Sequence, residues 1–207
     1  VSLERPDGYI GAKEFVDFEA PKPGRISNSS AYIRDIPRAD NVRDDRLQEA
    51  MDAFVLTGAL KKFRQKYSGL EYKHHTMLFH HSVKKNDQEL VSKKLRSLWN
   101  SAGYGSPGAA AVRLEKLLEV DFRKVWSDRG MPFGLLFPKH YKDLRPFLGE
   151  ALEEFRRGNS SPVLMVNSAE GSEVPDFDGK SGVWKIVVGG AKLSRGRTFT
   201  EAEDVSK

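Results

Sequence analysis

Cysteine is absent from this chain of 207 residues, so neither a disulfide nor a thiolate metal site can contribute to it. Long apolar runs are absent too. None approaches the roughly 20 residues that a membrane-spanning helix needs, and no leader pattern opens the chain. The expectation is a soluble, cytoplasmic protein with no membrane partner. A complete phosphate-binding lysine loop is also missing. Gly179-Lys180-Ser181 resembles the end of one, but Val174 stands where its first glycine belongs, with Pro175 next, and a strand follows where a helix should. No cofactor is therefore assigned to this chain. No Ser-His-Asp arrangement emerges from spacing and no internal repeat is visible. No acid-acid-lysine set lies on a strand, because Asp176, Asp178 and Lys180 fall in a loop. Catalytic residues are accordingly left unassigned.

What is present fits a globular domain with a mild basic bias. Apolar residues make up 39% and can fill a core, charged residues make up 30% and can cover it, and the formal net charge is +5. That balance is compatible with a polyanionic partner. The chain opens at Val1 without a methionine and stops at Lys207 in polar sequence, so it reads as a fragment of something larger.

The stretch that organises the rest is Val183-Trp184-Lys185-Ile186-Val187-Val188-Gly189-Gly190-Ala191-Lys192-Leu193-Ser194-Arg195-Gly196. Ile186, Val187 and Val188 are β-branched and crowd a helical turn, so the run predicts a strand buried on both faces. Gly189 and Gly190 end the strand and allow a tight turn or the close approach of a ligand. Lys192, Ser194 and Arg195 follow, just past the carboxyl end of the strand, where open α/β sheets bind ligands. Two cations, a hydroxyl and backbone N–H groups suit phosphate oxygens. A strand-to-loop connection with solvated charges accounts for the same residues.

Residues 1–43 carry few core-type positions, and Pro6, Pro21, Pro23 and Pro37 break any long helix. They read as an extended N-terminal arm, with Asn28-Ser29-Ser30 in a loop. Tyr9, Ile10, Phe15, Val16 and Phe18 are available to pin the arm to a neighbouring surface. Residues 44–207 read as the domain proper. Asp44 and Asp45 are candidate caps of a helix whose apolar residues are Leu47, Ala50, Met51, Phe54, Ala59, Leu60 and Phe63. Lys61, Lys62, Arg64 and Lys66 crowd its end, where they also make a basic patch but read first as solvated, dipole-complementing charges, and Ser68-Gly69 stops it. Thr76 to Ser82 predicts a buried strand. A helix follows over Asp87 to Ser101, with Leu90, Val91, Lys94, Leu95, Leu98 and Trp99 on its apolar face. Helices over Ala109 to Trp126 and from Tyr141 to Phe155 come next, then a strand from Pro162 to Asn167. Strands alternating with helices argue for an α/β fold with a mostly parallel sheet flanked by helices.

Four clustered histidines invite a metal reading. On one strand His74 and His80 share a face and His75 and His81 share the other, each pair roughly 20 Å apart at about 3.3 Å per residue. One ion cannot bridge that distance, and no metal site is assigned. Asp176 and Asp178 could hold magnesium but also read as solvated loop acids. His80 and Ser82 lie at their strand's end and are candidates for lining the same cleft as Lys192 and Arg195.

The segment from Ile186 to Gly196 resembles the signature of the Z1 domain family. That family is described as a domain of proposed endonucleases, found with superfamily-two helicase modules in bacterial and phage restriction-type systems. Three further stretches resemble it in the same order: Tyr9 to Phe15, Ala50 to Leu56 with Ala59 to Lys62, and His74 to Ser82. The family's usual asparagine is Ala191 here, and its usual leucine is Arg197. The resemblance implies a RecA-like domain of the helicase second-lobe type, with Thr76 to Ser82 as the lobe's first strand. Lys192, Ser194 and Arg195 would then touch nucleic-acid phosphates or the ATP cleft, and Gly196 would allow close backbone approach. DNA is the implied partner, with an upstream helicase or ATPase domain and a nuclease domain. ATP and magnesium are implied for the longer parent protein. A protein-interaction module that docks such a partner through the arm is the alternative, and DNA cleavage by this chain itself ranks last.

Overall fold

The computed structural model describes residues 15–34, 44–80, 84–106, 108–129, 136–166, 175, 177, 179 and 181–189. Its centre is a three-stranded, wholly parallel sheet made of β1 (His75–Phe79), β2 (Val163–Val166) and β3 (Trp184–Gly189). The strand order is β1-β3-β2, so the last strand in sequence is the middle one in space. The expected α/β class and parallel sheet are therefore present, but β1, expected to be buried, is an edge strand that buries only His75 and leaves Leu78 59% exposed. β3 is buried at every position but Lys185, as its β-branched run requires of a central parallel strand. Trp184, Ile186 and Val188 face the main core, and Ile186 stands in register with Met77 of β1 and Val163 of β2.

Four helical stretches build the core on that face. Helix α2 (Asp44–Ser68) is the longest and buries Leu47, Met51, Phe54, Val55, Leu56, Ala59 and Leu60. It ends where Gly69 adopts φ +66°, the left-handed turn that suits glycine. Helix α3 (Lys85–Ser101) follows β1 and buries Leu95 and Trp99. Its buried face is rotated from the one the sequence predicts: Leu90 is 66% exposed, whereas Gln88 and Ser92 are buried. Helix α4 (Ala109–Lys116) runs through a π-helical turn (Leu117–Phe122) into helix α5 (Arg123–Arg129). Helix α6 (Tyr141–Phe155) lies along α2, with Phe54 stacked on Phe155 at 4.8 Å and Phe63 edge-on to Phe147 at 5.6 Å.

The arm departs from its extended reading. Asn28–Tyr32 forms a short helix, α1, where the sequence reads as loop. The cause is local: Ser27 is an N-cap whose Oγ accepts from the Ser30 N–H at 3.0 Å. Phe15, Val16 and Phe18 stay 42%, 44% and 72% exposed, so they do not pin the arm as expected. Tyr9 and Ile10 lie outside the described residues.

Candidate functional site

Both ends of the sheet carry polar groups, and they differ in kind. At the amino end, the cations are consumed internally. Lys185 Nζ donates to the Phe155 carbonyl at 2.7 Å, Ser160 Oγ at 2.6 Å and the Ser161 carbonyl at 3.1 Å. It thereby neutralises the carboxyl terminus of α6. Lys61 Nζ donates to the His74 carbonyl at 2.8 Å, and burial, then Arg64, lowers its pKa. Lys62 pairs with Glu154 at 2.6 Å and lies over the Trp184 ring, and Arg64 donates to the Leu136 carbonyl. The solvated reading of these three is thus corrected: each reaches a specific neighbour brought close by the fold. Arg157 also joins Glu154 and the Ser181 carbonyl.

The histidines at this end are structural. His74 Nδ1 accepts from the Val183 N–H at 2.9 Å, and the His75 N–H donates to the Val183 carbonyl at 2.8 Å. The His75 ring stacks on Phe54 at 4.4 Å, and its Nε2 donates to the Phe54 carbonyl at 2.8 Å. Burial is the main cause that lowers its pKa to about 4. Among the described residues no three His, Cys, Asp or Glu side chains could hold a metal ion.

At the carboxyl end the strands finish at Phe79, Val166 and Gly189. His80 follows β1 directly and stands beside Gly189, because Phe79 is in register with Val188. Its Nδ1 donates to the Gly189 carbonyl at 3.0 Å. A carbonyl can only accept, so Nδ1 carries a proton. Helix α3 starts at Lys85, five residues past His80, so its amino terminus, with the positive end of its dipole, belongs to this edge. The structure therefore brings together His80 and Gly189 from the predicted set. Ser82, Gly190, Lys192, Ser194, Arg195 and Gly196 lie outside the described residues.

A cavity of about 210 Å³ lies between α1, α2 and the π turn, lined by Tyr32, Arg34, Arg46, Glu49, Leu117 and Asp121 among others. Sequence reasoning missed a buried network beside α2. Asp52 is 3% exposed and accepts from Arg113 at 2.8 and 3.2 Å, from Tyr104 at 2.8 Å and from Gln48 at 3.0 Å. Burial, then the Asp52 charge, pushes the Tyr104 phenol far above its ordinary range. The signal in sequence was an acid inside the apolar stripe of Met51, Phe54 and Val55.

No curated protein and no solved structure matches the chain. The Z1 domain family model matches residues 46–201, more than half of the chain and continuous across the sheet and its helices. The chain belongs to the Z1 domain family.

Proposed function

We propose that this chain is a nucleic-acid-interacting domain of an ATP-dependent endonuclease or helicase, RecA-like in the manner of a helicase second lobe. The single observation that supports this reading is the position of β3. A glycine-ended strand, held between two parallel neighbours, delivers its carboxyl end to the sheet edge where α/β folds take ligands. From Gly189 the sequence continues through Gly190 to Lys192, Ser194, Arg195 and Gly196, a set of groups suited to phosphate oxygens. DNA in the cytoplasm is the partner, and residues 44–207 form the contacting domain. ATP and magnesium belong to an upstream ATPase domain of a longer protein, so the isolated chain hydrolyses nothing.

The test is retention of duplex and single-stranded DNA across a salt series. Affinity is expected to fall linearly on a logarithmic plot, with slope about −0.9 per phosphate neutralised on duplex DNA. The Lys192→Ala/Arg195→Ala double variant is expected to flatten that slope by up to about two such contacts. No salt-dependent retention at low ionic strength would overturn the reading.

A second reading draws on the arm, residues 1–43, as a docking segment for a nuclease or helicase partner. Its support is the exposure of Phe15, Val16, Phe18, Tyr32 and Ile33 within twenty residues of each other. Under this reading, removing residues 1–43 abolishes partner capture and leaves DNA affinity unchanged. Unchanged capture would count against it.

A further inference from the structure

The two outer strands of the sheet finish their free sides differently, and the ladder fixes which groups each turns outward. The His75 N–H donates to the Val183 carbonyl, so His75, Met77 and Phe79 spend their main-chain groups on β3. Thr76 and Leu78, one residue out of phase, turn theirs away from the sheet. On the far side the Ile186 N–H donates to the Pro162 carbonyl, so Val163 and Met165 are the outward residues of β2. Val163 is closed off. Its N–H donates to Ser161 Oγ at 3.2 Å, and its carbonyl accepts from Arg96 of α3 at 3.2 Å. Among the described residues nothing bonds to the outward main-chain groups of Thr76 and Leu78, and the Leu78 side chain is exposed.

An open edge of this kind is a template for another strand. The usual safeguards are missing from β1: it holds no lysine, carboxylate or proline, and its register with β3 runs without a bulge. Two apolar rows also run off this edge. Val163, Ile186 and Met77 stand side by side on the core face, and Leu164, Val187 and Leu78 on the other. A strand added beyond β1 would extend both rows and take up the outward groups of Thr76 and Leu78.

We propose that the outer edge of β1 receives an extended segment of a partner protein, apolar at its centre and acidic at its ends. Two observations choose this occupant over a second copy of the chain. β1 has five residues, an edge about 17 Å long at about 3.3 Å per residue. That is too short to bury the roughly 800 Å² per partner of a standard interface. The chain also carries a net charge of +5, which opposes pairing with itself and favours a segment of opposite sign. A single extended segment needs no large interface, because its main-chain bonds supply the affinity. This edge is separate from the carboxyl ends of the strands and does not depend on the DNA reading.

The probe is a capped octapeptide in which glutamate pairs flank threonine-valine-isoleucine-threonine, titrated into the full nitrogen-15-labelled chain. The amide signals of Thr76 and Leu78 are expected to shift and to gain protection from exchange. Met77 and Phe79, already in the ladder, gain little protection. Lysine pairs in place of the glutamates weaken binding roughly two- to fivefold at low salt. Leu78→Pro removes an outward N–H without touching the ladder and abolishes binding. Leu78→Glu keeps the backbone intact, repels the acidic peptide and abolishes binding too, so the test stands even where the proline variant fails to fold. No shift at either amide with millimolar peptide overturns the proposal. So does slow exchange of both amides in the free monomer, full binding by folded Leu78→Glu, or equal binding of the two peptides. A wild-type dimer that Leu78→Glu dissociates in sedimentation would make a second copy the occupant, and overturns it as well.

Discussion

Two neighbouring histidines on β1's amino flank and one on its carboxyl flank show how much the surroundings decide. His75 sits between Phe54, Phe155 and Trp184, and its pKa falls to about 4, mainly through burial. Its folded-state value lies below the unfolded value of about 6.5, so between those limits the unfolded chain binds more protons. The stability His75 contributes is thus complete above pH ~6.5 and is lost as pH falls toward ~4, by roughly 3 kcal/mol in all. Urea unfolding at pH 7 and at pH 4.5 measures it, and His75→Phe is expected to flatten the difference. An equally steep loss in that variant would assign the effect to other groups. Gly58 belongs to the same cluster: a β-carbon there would stand 2.7 Å from the Phe155 ring and 3.2 Å from the His75 ring. Gly58→Ala, which ordinarily favours a helix by about 1 kcal/mol, is here expected to destabilise by about 1–3 kcal/mol. Gly182 is more constrained. It has φ +70°, and a β-carbon would overlap the Lys73 carbonyl oxygen.

Among the elements, the ones legible in sequence were those whose burial pattern is local. The β-branched run Ile186 to Val188 declared β3, and the apolar spacing of α2 and α6 declared both helices within a residue or so. What the sequence hid depends on distant partners. Leu90 looks like core until Gln88 and Ser92 take the buried face of α3. The π turn over Leu117–Phe122 leaves the apolar spacing almost unchanged, so periodicity passes over it. Asp52 needed Arg113 and Tyr104, sixty-one and fifty-two residues further on, to become a satisfied buried charge. Removing only Asp52 takes the shared acceptor from Arg113 and Tyr104, but the Arg113 side chain is 35% exposed and water takes up part of its charge, so Asp52→Ala is expected to cost about 1–3 kcal/mol. In a double-mutant cycle with Arg113→Ala the two losses should fall well short of adding. Additive losses would show that the pair does not act as a unit.

At the scale of the whole molecule, the late central strand ties function to folding. β3 enters between β1 and β2, so the sheet closes only after the last described element is in place, and the same strand delivers Gly189 to the carboxyl edge. Under the proposed function the two edges have separable chemistry. Lys185 is on β3 itself, yet its ammonium is held by three oxygens at the amino end. Lys192 comes seven residues later in the sequence. Lys185→Met is expected to lower stability by about 1–3 kcal/mol, because it removes a cation from hydrogen-bonded acceptors, and to leave DNA affinity and its salt slope at wild-type values below the thermal midpoint. Lys192→Met is expected to do the reverse, lowering the slope by about one contact with little change in thermal unfolding. Both lysines contribute equally to net charge, so a general attraction between a basic protein and DNA predicts equal effects. Equal losses of affinity in the two variants would therefore remove the case for a site at the carboxyl edge, whereas opposite effects would locate the phosphate contacts beyond Gly189.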